Sequence, residues 1–179
     1  MIFFKNFFKY IIGLIIVLFF RFIPLPPNVE PIMSTMMPFS KKWGIYAGLL
    51  FTFLAMIVFD LVTKTLGVWS ILTIGTYLLI TFFAGIYFKN RKKVKHYVIF
   101  AIIGTIFYDL VTGLVFGVLI FNQGVIETLI LQIPFTINHL VSNIILSALV
   151  SPLLYQWVIS NPKFETNNLL NYFKNINLS

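Results

Sequence analysis

The fold class is decided by residues 43–63, which read WGIYAGLLFTFLAMIVFDLVT. A helix needs about 20 predominantly apolar residues to cross a bilayer, and this segment has no charged residue before Asp60. In the whole chain of 179 residues, 59% are hydrophobic and 10% are charged, whereas a soluble domain is roughly half apolar and about a quarter charged. We therefore expect an all-α integral membrane protein that forms a single domain over residues 1–179.

Similar apolar segments along the rest of the chain predict six transmembrane helices in a compact bundle. They run from about Phe7 to Ile23, Pro31 to Ser40, Trp43 to Val62, Trp69 to Phe88, Tyr97 to Phe121 and Pro134 to Ile159. The second is only half a membrane in length, so it is either a short tilted helix or a re-entrant segment. Residues 125–159 are too long for one span, and we divide them at Pro134, which leaves Val125 to Ile133 as a short outer helix or lid.

The charge distribution predicts the orientation in the cell membrane. The start of the chain resembles a signal peptide, with Lys5 and Lys9 before an apolar segment, but bulky residues follow instead of a cleavage site, so we expect a transmembrane helix. Basic residues concentrate in cytoplasmic loops, and placing both termini in the cytoplasm puts eleven of the thirteen inside, including the cluster at residues 89–95. Only Arg21 and Lys64 then lie outside, and residues 160–179 form a cytoplasmic tail.

Several chemistries are excluded by the sequence. The chain has no cysteine, which rules out disulfides and thiolate metal sites. It has no phosphate-binding loop, no His-Glu-x-x-His and no Gly-x-Ser-x-Gly motif, so we expect neither an enzyme nor a bound cofactor or metal. The net charge of +8 could suggest a nucleic-acid partner, but the basic residues form short clusters between apolar segments, which is typical of membrane loops.

One short motif occurs twice. Phe59-Asp60-Leu61-Val62-Thr63 returns as Tyr108-Asp109-Leu110-Val111-Thr112, each near the end of a long apolar segment. The two helices run in the same direction, so the motif predicts a parallel 3+3 pseudo-repeat with Asp60 and Asp109 at one outer depth. Carboxylates inside a membrane commonly serve function, so both are candidates to accept hydrogen bonds from a substrate. Alternatively, they pair with Arg21 or Lys64, or cap a neighbouring backbone.

Four other polar residues are candidates for substrate contact. Asn28 and Glu30 lie on a stiff, proline-rich outer loop, which could equally be an ordinary turn with two solvated side chains. His139 and Asn143 are four residues apart and share one face of the sixth helix, where an unsatisfied polar group would be costly. They could bind a ligand or make interhelical hydrogen bonds, and His139 could relay protons. Weaker candidates are Glu127, Gln132 and Trp69.

A family resemblance rests on three regions of the chain. Arg21-Phe22-Ile23-Pro24 leads to Pro27-Asn28-Val29-Glu30-Pro31, and Gly44-Ile45-Tyr46-Ala47-Gly48 leads to Phe59-Asp60. With Gly104-x-x-x-Tyr108-Asp109, this pattern resembles the substrate-binding S components of energy-coupling factor (ECF) transporters over residues 21–160. The resemblance implies a module that binds a vitamin-like micronutrient at the outer face and assembles with an ECF transmembrane coupling protein and two cytoplasmic ATPases. The first helix has Gly13 and Val17 where the family often has an Ala-x-x-x-Ala docking motif.

We therefore expect a membrane-embedded substrate-binding subunit of an ECF-type importer. Two other functions stay open. The chain could be a structural or assembly protein of the membrane without a small ligand, whose polar side chains satisfy one another. It could also be a small proton-coupled transporter, although the absence of a series of acidic residues across the membrane argues against this function.

Overall fold

Helices make up the regular structure of this protein. The computed structural model describes residues 2–24, 26, 28–91 and 93–176, so Leu25 and Pro27 of the outer loop, Lys92 of the basic cluster and residues 177–179 of the tail lie outside the described residues. The described residues form eight α-helices: α1 (Ile2–Lys5), α2 (Phe7–Phe22), α3 (Ile32–Trp43), α4 (Ile45–Thr63), α5 (Val68–Tyr87), α6 (Val94–Leu114), α7 (Val125–Leu154) and α8 (Thr166–Ile176). Helices α6 and α7 continue as π-helices, over Val115–Ile120 and Tyr155–Ile159, and a 3₁₀-helix (Pro162–Phe164) precedes α8.

Four of these helices are long and apolar enough to cross a membrane. They are α4, α5, α6 with its π-helical extension and α7 with its extension. Their length and composition indicate a membrane-embedded helical protein, in agreement with the class expected from composition. Following the predicted orientation, we call the end of the bundle with the α4–α5 turn at Lys64 the outer end. The opposite end, with Lys41 and Lys42, is the inner end.

Helix α3 lies at the centre of the bundle. Every residue from Pro31 to Ser40 is buried, and the helix packs against α2, α4, α5, α6 and α7. The Thr35 hydroxyl donates to the carbonyl oxygen of Pro31, which precedes α3, at 2.8 Å, and the Ser40 hydroxyl donates to that of Met36 within α3 at 3.1 Å. At 1.5 Å per residue, 12 residues span only about 18 Å. The structure shows that this segment is a short helix, and its neighbours surround it on all sides.

The remaining long helices pack as two pairs, α4 with α5 and α6 with α7. Glycines bring α6 and α7 close together. A Cβ atom added at Gly113 would lie 2.7 Å from Gln132 Oε1, and one added at Gly117 would clash with the Thr128 side chain. Small residues permit such close approach of helices in membranes. The contact fixes Gln132 and Thr128 against the outer part of α6, where they become part of the site described below.

The predicted division of the chain at Pro134 is wrong. Helix α7 runs without interruption from Val125 to Leu154 and contains both Pro134 and Pro152, so Val125 to Ile133 is the first part of α7 and not a separate helix or lid. A proline inside a helix loses one backbone hydrogen bond and disfavours the turn before it. Here the outer part of α7 is held against α6 through Thr128 and Gln132, and this packing overrides the local preference.

The tail forms a helix that contacts the start of the chain. The Thr166 hydroxyl donates to the Phe4 carbonyl oxygen at 2.8 Å, and Lys5 Nζ lies 3.3 Å from a carboxylate oxygen of Glu165. The sequence predicted a cytoplasmic tail over residues 160–179. The structure shows an amphipathic helix over Thr166–Ile176, anchored at the inner end beside α1.

Candidate functional site

A buried carboxylate and a buried imidazole meet between α6 and α7. Asp109 Oδ1 lies 2.8 Å from His139 Nδ1, and the side chains are 1% and 3% exposed. Asp109 Oδ2 and His139 Nε2 are also buried, and neither has a hydrogen-bond partner among the described residues. Each side chain therefore uses one polar atom for the pair and leaves a second one able to bond a further group. A buried polar atom without a partner costs about 1–3 kcal/mol, which favours the binding of such a group.

The next turn of both helices contains a second polar contact. Asn143 Nδ2 donates to Thr105 Oγ1 at 2.8 Å. Thr105 is four residues before Asp109 and Asn143 is four residues after His139, so the two contacts lie one turn apart along the α6–α7 interface. The Asn143 Oδ1 atom is buried and has no hydrogen-bond partner in the described part of the chain. The interhelical hydrogen bond expected for Asn143 is therefore present, and it leaves the amide oxygen free.

A charged group lies beside this interface, where the loop before α3 meets α5. Glu30 lies 3.3 Å from an Arg21 guanidinium nitrogen and accepts a hydrogen bond from the Tyr77 hydroxyl at 3.0 Å. The Arg21 guanidinium also stacks on the Phe59 ring, 3.8 Å from its centroid. Such cation–π contact adds to the ion pair where water is excluded. Glu30 is thus held by two partners from different helices.

Tyr108 connects these two groups. Its ring lies 4.6 Å from the Tyr77 ring and meets the edge of the His139 ring at 5.7 Å. Tyr108 therefore lies between Tyr77, which bonds Glu30, and His139, which contacts Asp109, although the sequence did not single it out as a site residue.

Asp60 differs from its counterpart in the repeated motif. It lies in the last turn of α4 and is 8% exposed. Its carboxylate makes no hydrogen bond or ion pair with the described residues. The alternative in which Asp60 and Asp109 pair with Arg21 or Lys64 is therefore not what the structure shows, because Arg21 pairs with Glu30 and Asp109 pairs with His139.

Asn28 lies at the edge of the site, on the loop between α2 and α3. Its backbone has a left-handed conformation with φ of 68°, which Asn adopts more readily than most residues. Its side-chain amide donates to the Phe135 carbonyl oxygen of α7 at 3.4 Å. In this position Asn28 connects the outer loop to α7 near the level of His139, and it does not join the buried pair.

A cavity of about 450 Å³ lies at the outer end, between α5, α6 and α7. Small-molecule sites commonly have volumes of about 300–1,000 Å³. The described residues that line it are uncharged, with five aromatic side chains (Trp69, Tyr108, Phe116, Phe121 and Phe135) and five polar ones (Thr73, Thr112, Gln123, Thr128 and Gln132). Part of the wall is the π-helical extension of α6, and π-helical turns are frequent at functional sites.

Two aromatic rings connect this cavity to the buried pair. Tyr108 and Phe135 both line the cavity, and both meet the edge of the His139 ring, at 5.7 and 6.0 Å. His139 itself does not line the cavity. The rings of Tyr108 and Phe135 therefore lie between the cavity and the His139 side chain.

The structure brings some predicted site residues together and separates others. Asp109, His139 and Asn143 form one continuous interface, while Glu30 belongs to the adjoining charged group. Of the weaker candidates, Gln132 and Trp69 line the cavity, whereas Glu127 does not. The sequence did not identify Thr105 as a site residue, although its position one turn before Asp109 on an apolar helix was a usable signal.

Neither a metal-ligand cluster among the described residues nor a family match identifies the function of this site. Among the described residues, no group of three or more His, Asp or Glu side chains could hold a metal ion. Comparisons with protein-family models, with curated proteins and with solved structures give no match to this chain. Function is therefore inferred from the geometry of the site and from the pattern of the sequence.

Proposed function

We propose that this chain is the substrate-binding subunit of an ECF-type importer that captures a small, vitamin-like micronutrient at the outer face of the cell membrane. In this proposal α2 and α3 act as the first two of six spans, both termini are cytoplasmic, and the two halves form a 3+3 pseudo-repeat. Helix α2 has 16 residues and is therefore about 24 Å long, which is short for a span. The position of α3 inside the bundle removes the need for it to face lipid along its length.

One observation carries this proposal. The rings of Tyr108 and Phe135 line a cavity of ligand size and also contact His139. His139 belongs to a buried set of polar side chains that still have unused bonding atoms: Asp109, His139 and Asn143. In a membrane interior, no bulk water is present to satisfy such atoms. A polar substrate that enters from the cavity would supply the missing partners, and its binding would release the cost of leaving them unbonded.

The composition of the cavity wall indicates how a substrate would be held. Aromatic side chains offer flat faces for a ring system, while Gln132 and Thr128 offer an amide and a hydroxyl for orientation. Asp60, which has no partner in the described structure, would accept a hydrogen bond from the substrate, as would Asp109. Because the chain has no ATP-binding motif, energy for import would come from the ECF coupling protein and its two ATPases.

The direct test measures substrate binding by the purified protein in detergent. We expect at least one compound of a broad vitamin panel to raise the melting temperature, and native mass spectrometry to show that compound bound at one copy per chain. Trp69→Ala should abolish the shift because Trp69 lines the cavity. Trp157→Ala is the matched control, because Trp157 is 65% exposed near the inner end. If no compound stabilises the protein or co-purifies with it, the substrate-binding function is wrong.

A second candidate function is favoured by the Asp109–His139 contact. Imidazole side chains often serve as proton relays, and here the imidazole contacts a carboxylate at 2.8 Å, an arrangement that a proton-coupled transporter would require. In that case, flux into proteoliposomes would follow a pH gradient without added ATPases, and His139→Gln would remove this dependence. Under the ECF proposal, the isolated chain binds substrate tightly but supports no such flux.

A further inference from the structure

A second cavity lies at the inner end of the bundle and is not part of the proposed substrate site. Its volume is about 560 Å³. The charged residues that line it are Lys5, Lys9, Lys42 and Glu165, so three ammonium groups face one carboxylate. Trp43 forms part of the same wall. A cavity with this excess of positive charge is electrostatically suited to an anion.

Lys9 is the unusual member of this group. Its side chain is 3% exposed, although lysine is almost never fully buried unless it is paired. The ammonium donates one hydrogen bond to the Ile159 carbonyl oxygen at 3.0 Å, and Glu165 is 4.0 Å away. An ammonium has three donors. Lys9 therefore has donors left over, and it lines the cavity.

Glu165 compensates this charge only in part. One of its carboxylate oxygens lies 3.3 Å from Lys5 and the other 4.0 Å from Lys9, so a single carboxylate serves two lysines. The residue is 29% exposed and precedes α8, which is held to α1 by the Thr166–Phe4 hydrogen bond. Lys42 lines the cavity from α3 without an ion pair to the described residues. An incoming anion would meet the ammonium groups of Lys9 and Lys42, and it would compete with Glu165 for Lys9.

We infer that this inner cavity binds a phosphate group, carried either by an anionic phospholipid at the inner membrane surface or by a phosphate anion in solution. Lysine binds phosphate as a point charge, and anionic lipids of the cytoplasmic leaflet attract basic groups near the surface. Basic pockets between transmembrane helices on the cytoplasmic side are suited to such headgroups. This inference is independent of the proposed substrate site, because it uses different residues at the opposite end of the bundle.

Lipid binding is measured by native mass spectrometry of the full chain released from nanodiscs. One set contains phosphatidylcholine only and the other contains added phosphatidylglycerol. We expect one phosphatidylglycerol molecule to be retained per chain, with about fivefold weaker apparent affinity in Lys42→Gln. Glu165→Gln should strengthen the affinity about two- to fivefold, because it removes the competing carboxylate. Lys89→Gln is the matched control, since it removes an exposed charge at the inner end outside the cavity.

A second arm distinguishes the source of the phosphate group. The melting temperature is measured in detergent with inorganic phosphate or with chloride at equal ionic strength. If inorganic phosphate stabilises the protein, and Glu165→Gln increases this stabilisation, a dissolved anion is sufficient. If phosphatidylglycerol is retained but inorganic phosphate does not stabilise the protein, the lipid is the source of the phosphate group. The inference is overturned if neither ligand binds, if Glu165→Gln does not strengthen binding, or if Lys89→Gln weakens binding as much as Lys42→Gln does.

Discussion

The two copies of the repeated motif allow a matched test of the buried pair. Asp109→Ala removes the carboxylate that contacts His139 at 2.8 Å and leaves an imidazole that is 3% exposed without its partner. Removing one member of a buried pair typically costs about 3–5 kcal/mol. Hydrogen bonds inside membrane proteins measure less, about 0.6 kcal/mol on average with a maximum near 1.7. We expect a loss of about 2–3 kcal/mol for this fully enclosed pair.

Asp60→Ala removes the same atoms from a side chain that makes no hydrogen bond or ion pair with the described residues. Deleting these atoms should therefore have a similar effect on packing in both variants. The difference between their free energies of unfolding then reports the lost contact with His139. We expect Asp60→Ala to change the free energy of unfolding by less than about 0.5 kcal/mol, as for substitutions away from specific interactions.

The assay is thermal unfolding of both purified variants in one detergent without ligand. For a chain of this length, 1 kcal/mol corresponds to about 2–4 °C in melting temperature, so Asp109→Ala should melt about 4–12 °C below Asp60→Ala. Asp109→Asn, which retains an acceptor for His139, should recover most of the difference. Equal melting temperatures for the two alanine variants would refute the idea that the pair stabilises the bundle.

Two further predictions concern the packing of the helices. Gly117→Ala should destabilise the protein by about 1–3 kcal/mol through overpacking against Thr128. Gly75→Ala is the control, because the new Cβ has open space around it, and this variant should be neutral or slightly stabilising. Equal effects of the two substitutions in thermal unfolding would contradict the close α6–α7 contact. Pro134→Ala should raise the melting temperature, because α7 is continuous through this position and alanine restores the missing backbone donor. A lower melting temperature would indicate that Pro134 is needed for the path of the chain.

The positions of the helices were largely predictable because hydrophobic length determines them locally. The limits of α2, α4 and α5 differ from the predicted ones by no more than two residues. The predicted break at Pro134 was wrong because proline is locally disfavoured inside a helix, but packing between α6 and α7 overrides this preference. Membrane helices tolerate proline when neighbouring helices hold the segment in place, and the glycines that allow this contact lie in a different part of the sequence.

Several residues of the candidate site were identifiable from the sequence, but their pairing was not. Asp109 and His139 were both identified from their polarity, yet they are 30 residues apart, and their contact depends on how α6 is aligned with α7. The same limit applies to Arg21, which was considered as a partner for the aspartates and instead pairs with Glu30. Polarity in an apolar segment reveals that a partner is needed, whereas only the packing selects which partner is used.

The different environments of Asp60 and Asp109 follow from the lengths of their helices. Each residue lies fifteen positions after the first residue of its helix, Ile45 or Val94. Helix α4 ends three residues after Asp60, whereas α6 and its π-helical extension continue for eleven residues after Asp109. Helix α7 supplies His139 as the partner of Asp109, whereas Asp60, which is 8% exposed, makes no hydrogen bond or ion pair with the described residues. The second half of the chain therefore holds its carboxylate in a structural pair, and the first half leaves its carboxylate available. A ligand could bond either carboxylate oxygen of Asp60, whereas at Asp109 the Oδ1 atom contacts His139 and only Oδ2 is left without a partner among the described residues.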